Sequence, residues 1–166
     1  MKRGRRRRSP VSQAMVLVMF LALSVGAARL GAYWTSLGLD QWYAGLRKPW
    51  WTPPEQALAP AWTAVYASMA IAAWLAWRQA DRAKARPPLF LFGLQVGLTA
   101  CWQGLFFAMR DPTGALAEIV LLWVLAVATN VTFARLSRSA LVFTIPYLLC
   151  LTFVGALNFA IWRANK

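Results

Sequence analysis

Between Trp42 and Pro54 the chain places four aromatic side chains (Trp42, Tyr43, Trp50 and Trp51) and three prolines (Pro49, Pro53 and Pro54), with the cations Arg47 and Lys48 among them. Proline fixes its own backbone angle, so such a segment is stiff and covers a cavity at small entropic cost. Tryptophan and tyrosine add flat apolar faces with a polar handle. These residue types suit two roles. One is an interfacial plug that seals an apolar bundle. The other is a lid over a pocket for a flat, amphipathic ligand whose carboxylates would meet Arg47 and Lys48. Three further sets lie at helical spacing: Trp62, Tyr66, Met69 and Ala73; Leu98, Trp102 and Phe106; Cys150, Val154 and Asn158. Side chains at i, i+4 and i+8 share a helix face, so each set is a packing surface or an aromatic wall.

Proton-transfer and metal chemistry have little to work with. The chain has no histidine and only 5 acidic residues, which removes the commonest general base and metal ligand. The 2 cysteines, Cys101 and Cys150, fall inside apolar blocks. They read as small buried hydrophobes, with a thiolate ligand for haem as the alternative, and not as a disulfide framework or a zinc site. No phosphate-binding glycine loop, nucleophile elbow or pair of carboxylates is present. No catalytic residue and no metal site is therefore expected.

The elements that must position these residues are membrane spans. Of the 166 residues 60% are hydrophobic, above the half or so of a soluble domain, and the excess lies in blocks of about 20, the length a bilayer core requires. Backbone groups in that core must be paired internally, so the blocks read as helices. The fold class expected is an all-α membrane protein, a five-transmembrane-helix bundle. Its spans cover about 11–34, 60–77, 89–109, 115–136 and 140–162, in one membrane domain (11–166) after a basic tail (1–10). The first apolar block is longer than a signal-peptide core and reads as a retained span, with Arg29 near its far end snorkelling to the interface. Pro87-Pro88 suits the first turn of the third helix.

The net charge of +13 does not indicate nucleic acid, because the basic residues occupy the tail and the gaps between blocks. With the N-terminus in the cytoplasm, 12 of the 18 fall inside (Lys2, Arg3, Arg5, Arg6, Arg7, Arg8, Arg78, Arg82, Lys84, Arg86, Arg135 and Arg138) and 6 outside. That bias favours a cytoplasmic N-terminus and an outer Trp/Pro loop. Polar residues within spans are few, among them Gln95, Thr99, Gln103, Glu118 and Asn158. Such groups mark helix contacts or a pathway; Glu118 also suits the dipole at its helix N-terminus. Gly93 and Gly97 form a GxxxG pair that permits close helix approach, within the chain or in a homodimer.

The run from Trp42 to Pro54, followed by Pro60-Ala61-Trp62-Thr63-Ala64-Val65-Tyr66, resembles the tryptophan-rich sensory protein/translocator protein (TspO/MBR) family, whose pattern is WYxxLxKPxWxPP and then PxWTxLY. Gln95, Trp102, Phe106-Phe107, Glu118, Pro146-Tyr147-Leu148 and Leu157-Asn158 extend the resemblance over nearly the whole chain. The resemblance implies a five-helix bundle, often dimeric, with a pocket under the first loop that takes porphyrins or haem, sterols or synthetic aromatic ligands. By motif position the pocket residues are Tyr43, Trp51, Pro53, Trp62, Tyr66, Leu98, Thr99, Trp102, Gln103, Val154 and Asn158. Thr99 stands where members often have Asn, and Cys150 where they have Trp; both are expected to line or border the pocket. The implied function is a tetrapyrrole-binding sensor or regulator requiring no cofactor, and the basic N-terminus without a clear cleaved signal favours a bacterial inner membrane. The alternatives are a passive transporter of porphyrins or other apolar molecules, and a light-dependent porphyrin-degrading activity involving Trp62.

Overall fold

The structure is a computed structural model that describes residues 9–79 and 82–166, without the side chains of 82–84. The cationic tail from Lys2 to Arg8, and the topology charges of Arg82 and Lys84, lie outside the described residues. Five helices carry the fold: α1 (Pro10–Ser36), α2 (Glu55–Gln79), α3 (Arg82–Gln103), α4 (Pro112–Leu136) and α5 (Arg138–Ala164). Each has a segment long and apolar enough to cross a membrane. A helix of 25 residues such as α4 is about 37 Å long at about 1.5 Å per residue, more than the hydrocarbon core of about 30 Å. No strand occurs among the described residues.

Local chemistry sets the helix ends. Pro10 and Pro112 each start a helix, where a missing N–H costs nothing. Ser9, Asp111 and Ser137 cap the first turns of α1, α4 and α5 through side-chain oxygens. Asp111 accepts from the N–H groups of both Thr113 (3.1 Å) and Gly114 (3.0 Å). Arg110, at φ 56°, turns the chain in the left-handed region just before this cap.

Two expected boundaries move. The second helix begins at Glu55, so Pro60 lies inside it. The hydrogen bond lost at Pro60 involves the exposed first turn, where water takes over. Likewise α3, described from Arg82 onward, carries Pro87 and Pro88 within it. In addition, two π-helical turns interrupt the expected pattern, at Leu39–Tyr43 in the first loop and at Gly104–Ala108 after α3.

Helix α2 lies at the centre, in contact with α1, α3, α4 and α5. Its Ala70, Ala72, Ala73 and Ala76 are fully buried, because small side chains let helix backbones approach in lipid. Gly93 and Gly97 do not serve this purpose within the chain, since nothing lies within 4 Å of where their Cβ atoms would sit.

The first loop is fastened to the bundle at both ends. At its start, Gly38 lies so close to the Phe107 carbonyl that a Cβ there would overlap the backbone, and its own carbonyl accepts from the Tyr43 N–H at 2.9 Å. At its end, Asn165 grips Arg47 from 118 residues away: the Arg47 N–H donates to Asn165 Oδ1, and Asn165 Nδ2 donates to the Arg47 carbonyl, both at 2.9 Å.

Candidate functional site

A cavity of about 350 Å³ lies where α1, the loop, the start of α2 and the C-terminal parts of α3 and α5 meet. Its rim is exposed: Arg29, Ala32 and Ser36 of α1 face it together with Glu55, Ala59 and Thr63 of α2. Its inner wall is buried, formed by Trp102, Gln103, Phe106, Phe107, Leu157 and Asn158.

The wall is aromatic because three elements deliver rings to one place. Trp102 stacks on Phe106 with centroids 5.3 Å apart and planes 23° from parallel. Trp62 of α2 lies 6.1 Å from Trp102. Tyr43 closes the loop side, 6.2 Å from Phe106 and 5.4 Å from Phe107. The π-helical turn at Gly104–Ala108 widens the helix where Phe106 and Phe107 both reach the wall; such turns recur at functional sites. Burial pushes the Tyr43 phenol above its ordinary value, and the nearby Glu55 charge pushes the same way. Tyr43 therefore faces the cavity as a neutral hydroxyl.

Of the residues expected from sequence, Tyr43, Trp62, Trp102, Gln103, Val154 and Asn158 line this cavity. Trp51, Pro53, Tyr66, Leu98 and Thr99 are not in its wall. Trp51 instead packs on Phe153 of α5, with centroids 5.5 Å apart. Tyr66 is covered by Trp62 and takes a long hydrogen bond (3.5 Å) from Gln103. Thr99 is fully buried and spent within the bundle: its hydroxyl donates to the Gln95 carbonyl at 2.8 Å, so it must accept from the Tyr147 hydroxyl at 2.9 Å. Cys150, expected at the cavity edge, packs half-buried against the core instead. Glu118 is outside the wall too, with both carboxylate oxygens shielded and without a hydrogen bond among the described residues.

The cations are arranged differently from the expectation. Arg47 and Lys48 do not line the cavity. The backbone of Arg47 is held by Asn165, and Lys48 Nζ sits 4.2 Å above the Tyr43 ring. The cation at the cavity is Arg29, two turns inside α1, with no ion pair among the described residues. Sequence reasoning treated Arg29 as snorkelling and missed the contribution of α1 altogether. The available signal was that Arg29 is the sole charged residue of the α1 sequence, since a charge within a span points first to a site.

The polar wall residues divide into satisfied and unsatisfied groups. Gln103 is satisfied: its Oε1 accepts from Thr35 at 3.2 Å, and its Nε2 reaches the Tyr66 hydroxyl and the Thr99 carbonyl. Asn158 is 1% exposed and Trp102 6%, yet Asn158 Nδ2, Asn158 Oδ1 and Trp102 Nε1 have no partner among the described residues.

Residues 17–163 match the TspO/MBR family. The chain is 38% identical over 127 residues to the translocator protein of Sus scrofa, covering 75% of each chain. It is 34% identical over 151 residues to the tryptophan-rich protein TspO of Archaeoglobus fulgidus, covering 91% of this chain and 96% of that one. To the tryptophan-rich sensory protein of Cereibacter sphaeroides it is 34% identical over 150 residues, covering 90% and 91%.

Proposed function

The chain belongs to the TspO/MBR family of integral membrane proteins, and from that premise we propose that it binds a tetrapyrrole, a porphyrin or haem, and acts as a membrane sensor or regulator. The observation that carries this reading is the aromatic wall of Trp62, Trp102 and Phe106 beside a cavity whose rim holds the cation Arg29, without an ion pair among the described residues. Flat π-systems stack on such rings, and a guanidinium suits a carboxylate. The cavity volume of about 350 Å³ lies at the lower end of small-molecule sites, about 300–1,000 Å³. A macrocycle therefore enters edge-on, with its carboxylates left at the rim. The charge bias of the loops favours an orientation with that rim on the outer side of the membrane.

This reading moves the carboxylate contact from Arg47 and Lys48 to Arg29, and that choice is testable. Arg29→Gln weakens protoporphyrin IX binding by up to about fivefold, the range of an exposed ion pair converted to affinity. Its dimethyl ester, with no charge to lose, binds the variant as it binds wild type. Arg47→Gln changes neither. Equal losses for acid and ester, or a loss reproduced by Arg47→Gln, would place the carboxylates elsewhere. The measurement is quenching of intrinsic tryptophan fluorescence in detergent or nanodiscs.

A further inference from the structure

We propose that the buried end of the cavity reads a polar edge on its ligand, on the side opposite the carboxylates, through Asn158 and Trp102. The edge must carry a group that both donates and accepts a hydrogen bond, such as a hydroxyl or an amide. This inference rests on the tetrapyrrole reading above and narrows it.

A buried side-chain amide without partners is uncommon, and each such group calls for an explanation. Asn158 has two orphaned atoms of opposite character at 1% exposure, and Trp102 adds an orphaned donor at 6%. Both residues line the cavity. The other buried polar residue of the wall, Gln103, is paired within the protein, and so is the nearby Thr99. Among the described residues, the unmet hydrogen-bonding capacity of this wall is therefore concentrated in Asn158 and Trp102.

The charge is at the other end. Arg29 belongs to the exposed rim, so an anionic ligand leaves its carboxylates there and inserts its opposite edge. An alkyl or vinyl edge would leave the Asn158 amide buried and unpaired. A site with buried polar groups discriminates strongly against an analogue that cannot satisfy them. The geometry thus selects among flat amphipathic ligands of one size.

Three porphyrins with the same macrocycle and the same two propionates isolate this edge: haematoporphyrin IX carries 1-hydroxyethyl groups there, protoporphyrin IX vinyl groups and mesoporphyrin IX ethyl groups. Fluorescence titration of wild type is expected to rank haematoporphyrin tightest, about tenfold over mesoporphyrin, the equivalent of roughly one net hydrogen bond. In Asn158→Leu the preference disappears, and mesoporphyrin binds as well as or better than before. The ligand-free Asn158→Leu protein melts no lower than wild type, because replacing unsatisfied groups by an apolar side chain of similar size is neutral or stabilising. Trp102→Phe, which keeps a ring and lacks the N–H, reduces the preference in part.

Saturable binding of all three porphyrins without an edge preference, or a preference that survives in both variants, overturns this inference and leaves the tetrapyrrole reading standing. A marked fall in the melting temperature of ligand-free Asn158→Leu also overturns it, since the amide would then be structural. Absence of saturable binding by any of the three overturns both.

Discussion

Replacing Trp62 by Phe together with Trp102 by Ala is expected to lower protoporphyrin IX affinity by about fivefold to a hundredfold. Each aromatic contact contributes about 0.5–1.5 kcal/mol beyond its buried area, and about 1.4 kcal/mol corresponds to a tenfold change in affinity. The two residues act as neighbours, 6.1 Å apart across α2 and α3, so a ligand against one meets the other. Trp102 also belongs to the core, where it stacks on Phe106. Its truncation costs about 3–5 kcal/mol of stability by the usual scale for buried tryptophan, so a melting curve must accompany the titration. Trp62→Phe alone provides the matched variant: Trp62 is half-buried and keeps a ring, and its affinity loss is smaller than that of the pair. Eight of the 10 tryptophans remain to report quenching. Unchanged affinity in a folded double variant would remove the ligand from this cavity.

The second large effect is steric and lies in the loop. Gly38→Ala puts a Cβ against the backbone carbonyl of Phe107, closer than real Cβ atoms approach. Backbone in a π-helical turn cannot swing aside as a flexible side chain does, so the expected cost is about 1–3 kcal/mol. Gly38 has an ordinary negative φ of −124°, so the cost comes from the clash and not from the backbone angle. Because Leu39 and Tyr43 follow directly and line the cavity, displacing the turn also weakens ligand binding. Gly45→Ala is the control: nothing lies within 4 Å of a Cβ there, and a substitution of that kind stays within about 0.5 kcal/mol. Thermal unfolding of the two variants side by side separates the cases. Equal midpoints would show that the loop does not depend on its contact with Phe107.

Much of the architecture was legible because hydrophobic length is a strong signal in a membrane protein. All five spans are present, and the i, i+4 stripes correctly grouped Tyr66, Met69 and Ala73 as one buried face of α2. What spacing cannot say is which neighbour a face meets. It grouped Leu98 with Trp102 and Phe106, yet only the last two line the cavity. The helix start at Glu55, and the helical residues ahead of Pro87, were missed because proline was read as a boundary. Near an exposed helix end a lost hydrogen bond is taken up by water, and proline is tolerated there.

The contribution from the C-terminus was not legible, and that from α1 only ambiguously so, for a different reason. Arg29 fits snorkelling as well as it fits a cavity rim until the position of α2 beside it is known. The grip of Asn165 on Arg47 joins residues 118 positions apart, and no local pattern announces such a pair. The same holds for Thr99, whose partner Tyr147 is 48 residues away. Thr99 contributes less to the cavity than its motif position suggests, because its hydroxyl is turned into the bundle. The unpaired amide at Asn158 then stands out as the polar feature of the wall.

The central claim is that the cavity under the first loop holds a tetrapyrrole against Trp62 and Trp102. A titration of the purified wild-type protein with protoporphyrin IX, haem and cholesterol, followed by tryptophan fluorescence, tests it most directly. The account predicts saturable quenching by protoporphyrin IX and haem at one ligand per chain, with cholesterol failing to displace them at equal concentration. Quenching that never saturates for either tetrapyrrole, or full displacement by the sterol, would contradict it.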